Sequence, residues 1–375
     1  MKMHVIHGRE KIDRYPWCSS PTEIDGKLAY VAQEDSKKFV VHDGEELERY
    51  PNVLPAKKIG GSVCYSAKES GKWFVVQDGE KRKRYDYVFW EPPIEEKLAY
   101  AVEEGGDQFM VVEGEEQKSY QFVNPHSLVL VDEQLFYIAA ERGERFLVWN
   151  GEEIRKYEDV ETCREVGGDL AYIASEGEKQ FVVYQDEERR RYDNVDVLTS
   201  VDGKLAYIAS EGEKQFVVIG GEEKKRYDVV NPAFGGIKDV NGRPAYVVRD
   251  EGQQFVVHGD REIKDYYGSG QPKEVNGELA FEAIEKDAQF IVIGGEEQKR
   301  YSHISRYSIR NLDGKLVYVA GDGKNEFVVV GEEEREKFDF VNQYSLTCVD
   351  GKITYAAEKG RPASGGRKTI RNVLR

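Results

Sequence analysis

One stretch of fourteen residues, Leu-Ala-Tyr-Ile-Ala-Ser-Glu-Gly-Glu-Lys-Gln-Phe-Val-Val, occurs twice without change, at Leu170–Val183 and Leu205–Val218. Self-similarity at a fixed period restricts a chain to solenoids, propellers or arrays. Looser copies run through the whole chain. The aromatic of the Leu-Ala-Tyr segment recurs as Tyr30, Tyr65, Tyr100, Tyr137, Tyr172, Tyr207, Tyr246, Phe281, Tyr318 and Tyr355, mostly 35 residues apart. Nine residues after each of the first nine comes a Phe (Phe39 in the first copy, Phe327 in the last), and eleven further on a second aromatic (Tyr50 to Phe338).

One unit, taken from Val197 to Val230, reads as four short strands. Val197–Val201 leads into Asp202-Gly203, a strong hairpin signal because a type I′ turn needs the positive φ that Asp, Asn and Gly tolerate. Asp-Gly or Asn-Gly recurs at residues 25–26, 241–242, 276–277, 313–314 and 350–351. The second strand, Lys-Leu-Ala-Tyr-Ile-Ala-Ser, is nearly continuous in apolar residues, as a strand covered on both faces should be. Glu211-Gly212-Glu213 turns into Lys-Gln-Phe-Val-Val-Ile, and Gly220-Gly221 into a charged fourth strand. Charge on an outermost strand discourages edge-to-edge association. A four-stranded unit with an apolar middle and a charged edge is a propeller blade.

The reading is therefore an all-β fold: a single closed β-propeller of ten four-stranded blades over residues 1–360, above the typical four to eight. His4-Val5-Ile6 stands where Phe-Val-Val belongs, and the last copy, around Tyr355, has no such half. The expectation is that the last blade is shared, two strands from each end of the chain.

The segments Val201-Asp202-Gly203-Lys204-Leu205-Ala206-Tyr207 and Leu312-Asp313-Gly314-Lys315-Leu316-Val317-Tyr318 resemble the blade motif of the TolB-type, WD-repeat-like propeller family. The Ser-Pro that precedes Asp-Gly in that family is absent here. The resemblance implies a propeller that binds proteins, peptides or other ligands on one ring face, and it implies no catalytic residue.

Charge narrows the partners. The chain has 375 residues and a net charge of −16, which argues against duplex nucleic acid. The end of the chain runs the other way: residues 359–375 hold six basic residues and no acid, and 361–375 form a basic tail beyond the repeat. No apolar run reaches the length of a membrane span. The first fifteen residues lack the apolar stretch of a signal peptide. The expected compartment is the cytoplasm, or the periplasm or exterior if a signal peptide was removed. Cys18, Cys64, Cys163 and Cys348 share no metal-ligand spacing and read as packed thiols.

Two regions are candidates for function. The links between blades open on the same ring face as the second-to-third turns, and there Trp17, Phe89, Trp90, Phe122, Phe234, Tyr267, Tyr307 and Tyr344 are expected to anchor a protein or peptide. The bland alternative is that these rings seal gaps between blades. The innermost strands carry Glu23, Lys58, Arg164, Glu165, Lys238, Asp239, Lys273, Glu274 and Arg310, which would line a central channel. They form either a solvated salt-bridge lattice, each pair contributing little, or a charged pore for an anion, a sugar or a peptide. No motif for a nucleophile, a metal or a cofactor is present, so no cofactor is expected. A non-enzymatic binding scaffold is the leading expectation. An enzyme acting on a sugar or small ester at the channel mouth, as a lyase or hydrolase, is the competing one.

Overall fold

The computed structural model describes residues 2–90, 94, 97–230, 236–266 and 268–359. They form ten antiparallel sheets, each a blade of four strands named A to D from the inside outward. Blade 6 shows the plan: A is Asn194–Val201, B Lys204–Glu211, C Lys214–Ile219 and D Glu222–Glu223. The Asp-Gly and Asn-Gly pairs take the left-handed conformation that the type I′ hairpin demands, for example Asp202 at φ 52° and Gly203 at φ 67°. Ala206, Tyr207, Ile208 and Ala209 on strand B are all buried, which accounts for the unbroken apolar run.

Blade 10 takes strands from both ends of the chain. Lys2–His7 pairs antiparallel with Lys352–Lys359, with Val5 opposite Ala356, and Glu10–Ile12 adds the outer edge. His7 Nδ1 and Thr354 Oγ1 lie 2.9 Å apart across this seam, 347 positions apart in sequence. Among the described residues, ten hydrophobic clusters each join one blade to the next. The cluster of Val5, Tyr15, Tyr30 and Phe39 joins blade 10 to blade 1, so the ring is closed.

The repeated aromatics form these joints. In nine of them the Tyr that ends one blade meets the strand C Phe of the next edge to face, from Tyr15–Phe39 at 5.1 Å to Tyr227–Phe255 at 6.0 Å. Such pairs contribute about 0.5–1.5 kcal/mol beyond area burial. An Arg from the Phe's own blade covers several of these rings, as Arg226 does over Phe216 at 4.2 Å. The Tyr hydroxyl often donates to a strand D glutamate of the following blade, as Tyr85 does to Glu116 at 2.9 Å. The charged outer strand is thus also a latch between blades. A second latch sits above: the Gln before the Phe accepts the backbone N–H of the next inner strand, as Gln215 does from Val230 at 2.8 Å.

Strand A is the irregular element. In blades 1, 5 and 6 it is continuous with a β-bulge, which at Val197 forces φ to 57°. In blades 2, 4, 7, 8, 9 and 10 it is split into an upper and a lower piece, as in Asn52–Val53 and Lys57–Ile59. Bulges re-aim side chains, and here they lie on the wall of the ring's centre. Cys18, Cys64 and Cys163 are buried and free, and burial pushes their thiols up to about 12. No helix among the described residues is long and apolar enough to cross a membrane. The basic tail at 361–375 lies outside the described residues.

Candidate binding site

The first residue of strand A sits at one register position in every blade, opposite the strand B residue three places after the repeat aromatic. In blades 10, 1, 3 and 4 it is Phe340, Trp17, Tyr87 and Phe122, opposite Glu358, Gln33, Glu103 and Ala140. In blades 2, 5 and 6 it is Asn52, Asp159 and Asn194. In blades 7, 8 and 9 it is Val229, Gly268 and His303. Since Asn and Asp serve in three blades, packing does not require an aromatic here. The four aromatics lie within the run of blades 10 to 4, interrupted by Asn52 of blade 2, on the face that carries the B–C turns.

Their exposure is uneven. Phe122 is 44 % exposed and Tyr87 40 %. Trp17 and Phe340 are half-buried, and the Lys38 ammonium stands 5.7 Å from the centre of the Trp17 ring. Tyr87 also stacks edge to face on Phe89 at 4.9 Å and on Trp73 at 5.9 Å. Phe89 is itself half-buried against the blade 3–blade 4 cluster.

Trp90 does not belong to the accessible face. It is only 6 % exposed, packs in the blade 2–blade 3 cluster, and donates its indole N–H to the carbonyl of Pro55 at 2.8 Å. Tyr307 and Tyr344, 38 % and 69 % exposed, crown the breaks of strand A in blades 9 and 10. Tyr344 and His126 sit at equivalent tips. In Phe122–Leu128 and Phe340–Leu346 an Asn side chain caps a single 3-10 turn, and a Ser hydroxyl (Ser127, Ser345) receives a strand B N–H at 2.8 Å. Phe234 and Tyr267 lie outside the described residues. Tyr87 was not among the sequence candidates, because only the register shows that it shares a position with Trp17 and Phe122.

The lower wall separates its acids from its bases. Glu165 accepts the N–H of Gly168 at 2.6 Å, and Asp239 that of Gly242 at 2.8 Å. Glu23 and Glu274 do the same for Gly26 and Gly277. Each acid thereby closes its own A–B hairpin, and Asp239 also takes the Asp202 N–H of blade 6 at 2.8 Å. Lys58 pairs with Asp25 of the neighbouring blade. Arg164, Lys238, Lys273 and Arg310 share the register position one residue before the clamp. None of the four has an ion pair or side-chain hydrogen bond among the described residues. Burial and the Arg164 charge hold the Lys238 ammonium below its usual range, and burial, Lys238 and Arg310 do so for Lys273.

One buried acid departs from the repeat. Glu282, on strand B of blade 8, stands where blades 5 and 6 have Ile173 and Ile208, and it is 6 % exposed. Gly270 makes room for it: a Cβ there would lie 2.8 Å from the carboxylate. Burial raises this carboxyl to about 7, against a smaller opposing pull from Arg306. Among the described residues no three His, Cys, Asp or Glu side chains form a metal-holding group.

No family model matches the chain, and no curated protein matches it. The likeness to TolB-type propellers therefore rests on the blade motif alone. Solved structures do match. Oligopeptidase B from Trypanosoma brucei is 14 % identical, with a TM-score of 0.39 over 92 % of this chain and 54 % of that one. The β-propeller domain of the Trilobed protease from Pyrococcus furiosus is 12 % identical, with a TM-score of 0.34 over 85 % and 96 %. The dihydro-heme d1 dehydrogenase NirN is 9 % identical, with a TM-score of 0.37 over 80 % and 72 %. Likenesses this loose carry nothing about what this chain binds or does.

Proposed function

We propose that the protein is a non-enzymatic binding scaffold that recognises a protein or peptide on the face bearing the B–C turns and the blade links. The observation behind this reading is the register position shared by Phe340, Trp17, Tyr87 and Phe122. A rigid ring that needed only to pack would keep that position alike in every blade, whereas here it is aromatic in blades 10, 1, 3 and 4 and Asn or Asp in blades 2, 5 and 6. Exposed rings on a rigid scaffold supply large contact area at small cost in side-chain entropy. Tyr344 and Tyr307 add exposed rings at the strand A breaks of blades 10 and 9.

The test is a selection of displayed peptides against the purified full chain, followed by titration of the selected peptides against variants. Phe122→Ala, Tyr87→Ala and Tyr344→Ala should each weaken binding by about tenfold or more, the effect of removing a central anchor. Asn241→Asp, on the opposite face, should leave it unchanged. Selected peptides whose affinity ignores all three aromatics would refute the assignment.

A further inference from the structure

We propose that the lower wall of the ring's centre holds a binding site for a small polyanion, a ligand with two or more linked phosphate groups, formed by Arg164, Lys238, Lys273 and Arg310 with Thr199 between them. The five residues occupy the same register position in blades 5, 6, 7, 8 and 9, an unbroken arc of five blades. In the chain around this arc acids outnumber bases, 70 to 54, so a run of cations without carboxylate partners is not a by-product of composition.

Three features make the arc a site. First, the acids next in sequence are committed elsewhere: Glu165, Asp239 and Glu274 each accept a hairpin N–H from their own blade. They cannot fold back on the cations without opening those turns. Second, the cations sense one another. Lys238 feels the Arg164 charge, and Lys273 feels both Lys238 and Arg310. The Nε of Arg310 is buried with no hydrogen-bond partner, and a buried donor without a partner carries its full desolvation cost. Third, there is room. A groove of about 560 Å3 lies between Arg164 and Lys238, with the hydroxyls of Thr162, Thr199 and Ser200 on its wall. Its remaining acid, Asp196, accepts the N–H of Val197 at 2.8 Å.

A ligand with linked phosphates fits this chemistry better than a single anion. The cations are spread over successive blades instead of converging on one point, so one compact ion meets only some of them. Phosphate oxygens form strong charge-assisted hydrogen bonds with both Arg and Lys, and hydroxyls in the groove supply neutral donors. This site is separate from the aromatic face, and either assignment can fail alone.

The experiment is calorimetric titration of the full chain with inorganic tripolyphosphate at low salt, with orthophosphate as comparison. Tripolyphosphate should bind one to one, more tightly than orthophosphate, and lose affinity as sodium chloride is raised. Lys238→Met and Lys273→Met should each weaken it by about tenfold or more. Arg164→Gln, on an exposed side chain, gives the same readout without touching the core. Lys214→Met, which removes a rim lysine paired with Asp228, should bind as the parent does. Absence of binding, equal affinity for orthophosphate, or an equal loss in Lys214→Met would each overturn the proposal.

Discussion

Replacing Glu282 by Gln should change the pH dependence of stability. The carboxyl is buried, and its folded value is about 7 against an ordinary 4.5. Between those two values the folded protein holds a proton that the unfolded chain has released. Stability therefore falls as pH rises from about 4.5 through about 7, and is flat above. At about 1.4 kcal/mol per pH unit the whole span is worth about 3 kcal/mol, of which most is expressed between pH 5 and pH 8. Glutamine has the same shape and no charge, so Glu282→Gln should remove that slope and be the more stable protein at pH 8. Urea unfolding of both proteins at pH 5 and pH 8 reads this directly. The parent should lose about 2–3 kcal/mol relative to the variant over that interval. Parallel pH profiles for the two proteins would show that the carboxylate is solvated or paired, and that Gly270 does not enclose it.

Other outcomes follow from the joints between blades. Trp90→Ala should cost about 3–5 kcal/mol of stability, the usual range for emptying a buried aromatic site, with a lowered thermal midpoint as the check; an unchanged midpoint would return Trp90 to the accessible face. Gly321→Ala should be severely destabilising, because a Cβ there overlaps the ring of His303, and His303→Ala in the same chain should restore most of the loss in thermal unfolding. Tyr227→Phe should cost about 1–3 kcal/mol at neutral pH, since its hydroxyl donates to the charged Glu262 at 2.9 Å. Lys225 and Lys264 hold that carboxyl down at about 2, so the difference between Tyr227→Phe and the parent should shrink only as the pH falls toward that value.

The architecture was legible because its determinants are local. A period near 35, hairpin pairs such as Asp202-Gly203 and an apolar strand such as Leu205–Ala209 each act within a few residues, and the blade repeats them. The site was only partly legible, because its determinants are contacts between blades. Nothing near Trp90 in sequence announces the carbonyl of Pro55 that takes its indole N–H. Glu165 and Lys238 both read as channel charges, yet one closes a turn and the other faces its neighbours unpaired; the difference is a reach of three residues to Gly168. Tyr87 was overlooked because link length and strand register must be known together before it falls in line with Trp17. Glu282 could have been found, since it puts a charge into a column that otherwise holds aliphatic residues and one serine, Ser66.

The seam in blade 10 ties every joint to every other. Val5 meets Ala356 only if nine successive stackings deliver the two strands to the same place. A small change of tilt at a distant joint, such as Tyr157 on Phe181, is carried round the ring and arrives as a misfit at the seam. The stack thus acts as a rigid lever on its own closing contact. Stability lost at one joint should reappear as fraying of Lys2–His7 on the other side of the molecule, where amide exchange would detect it first.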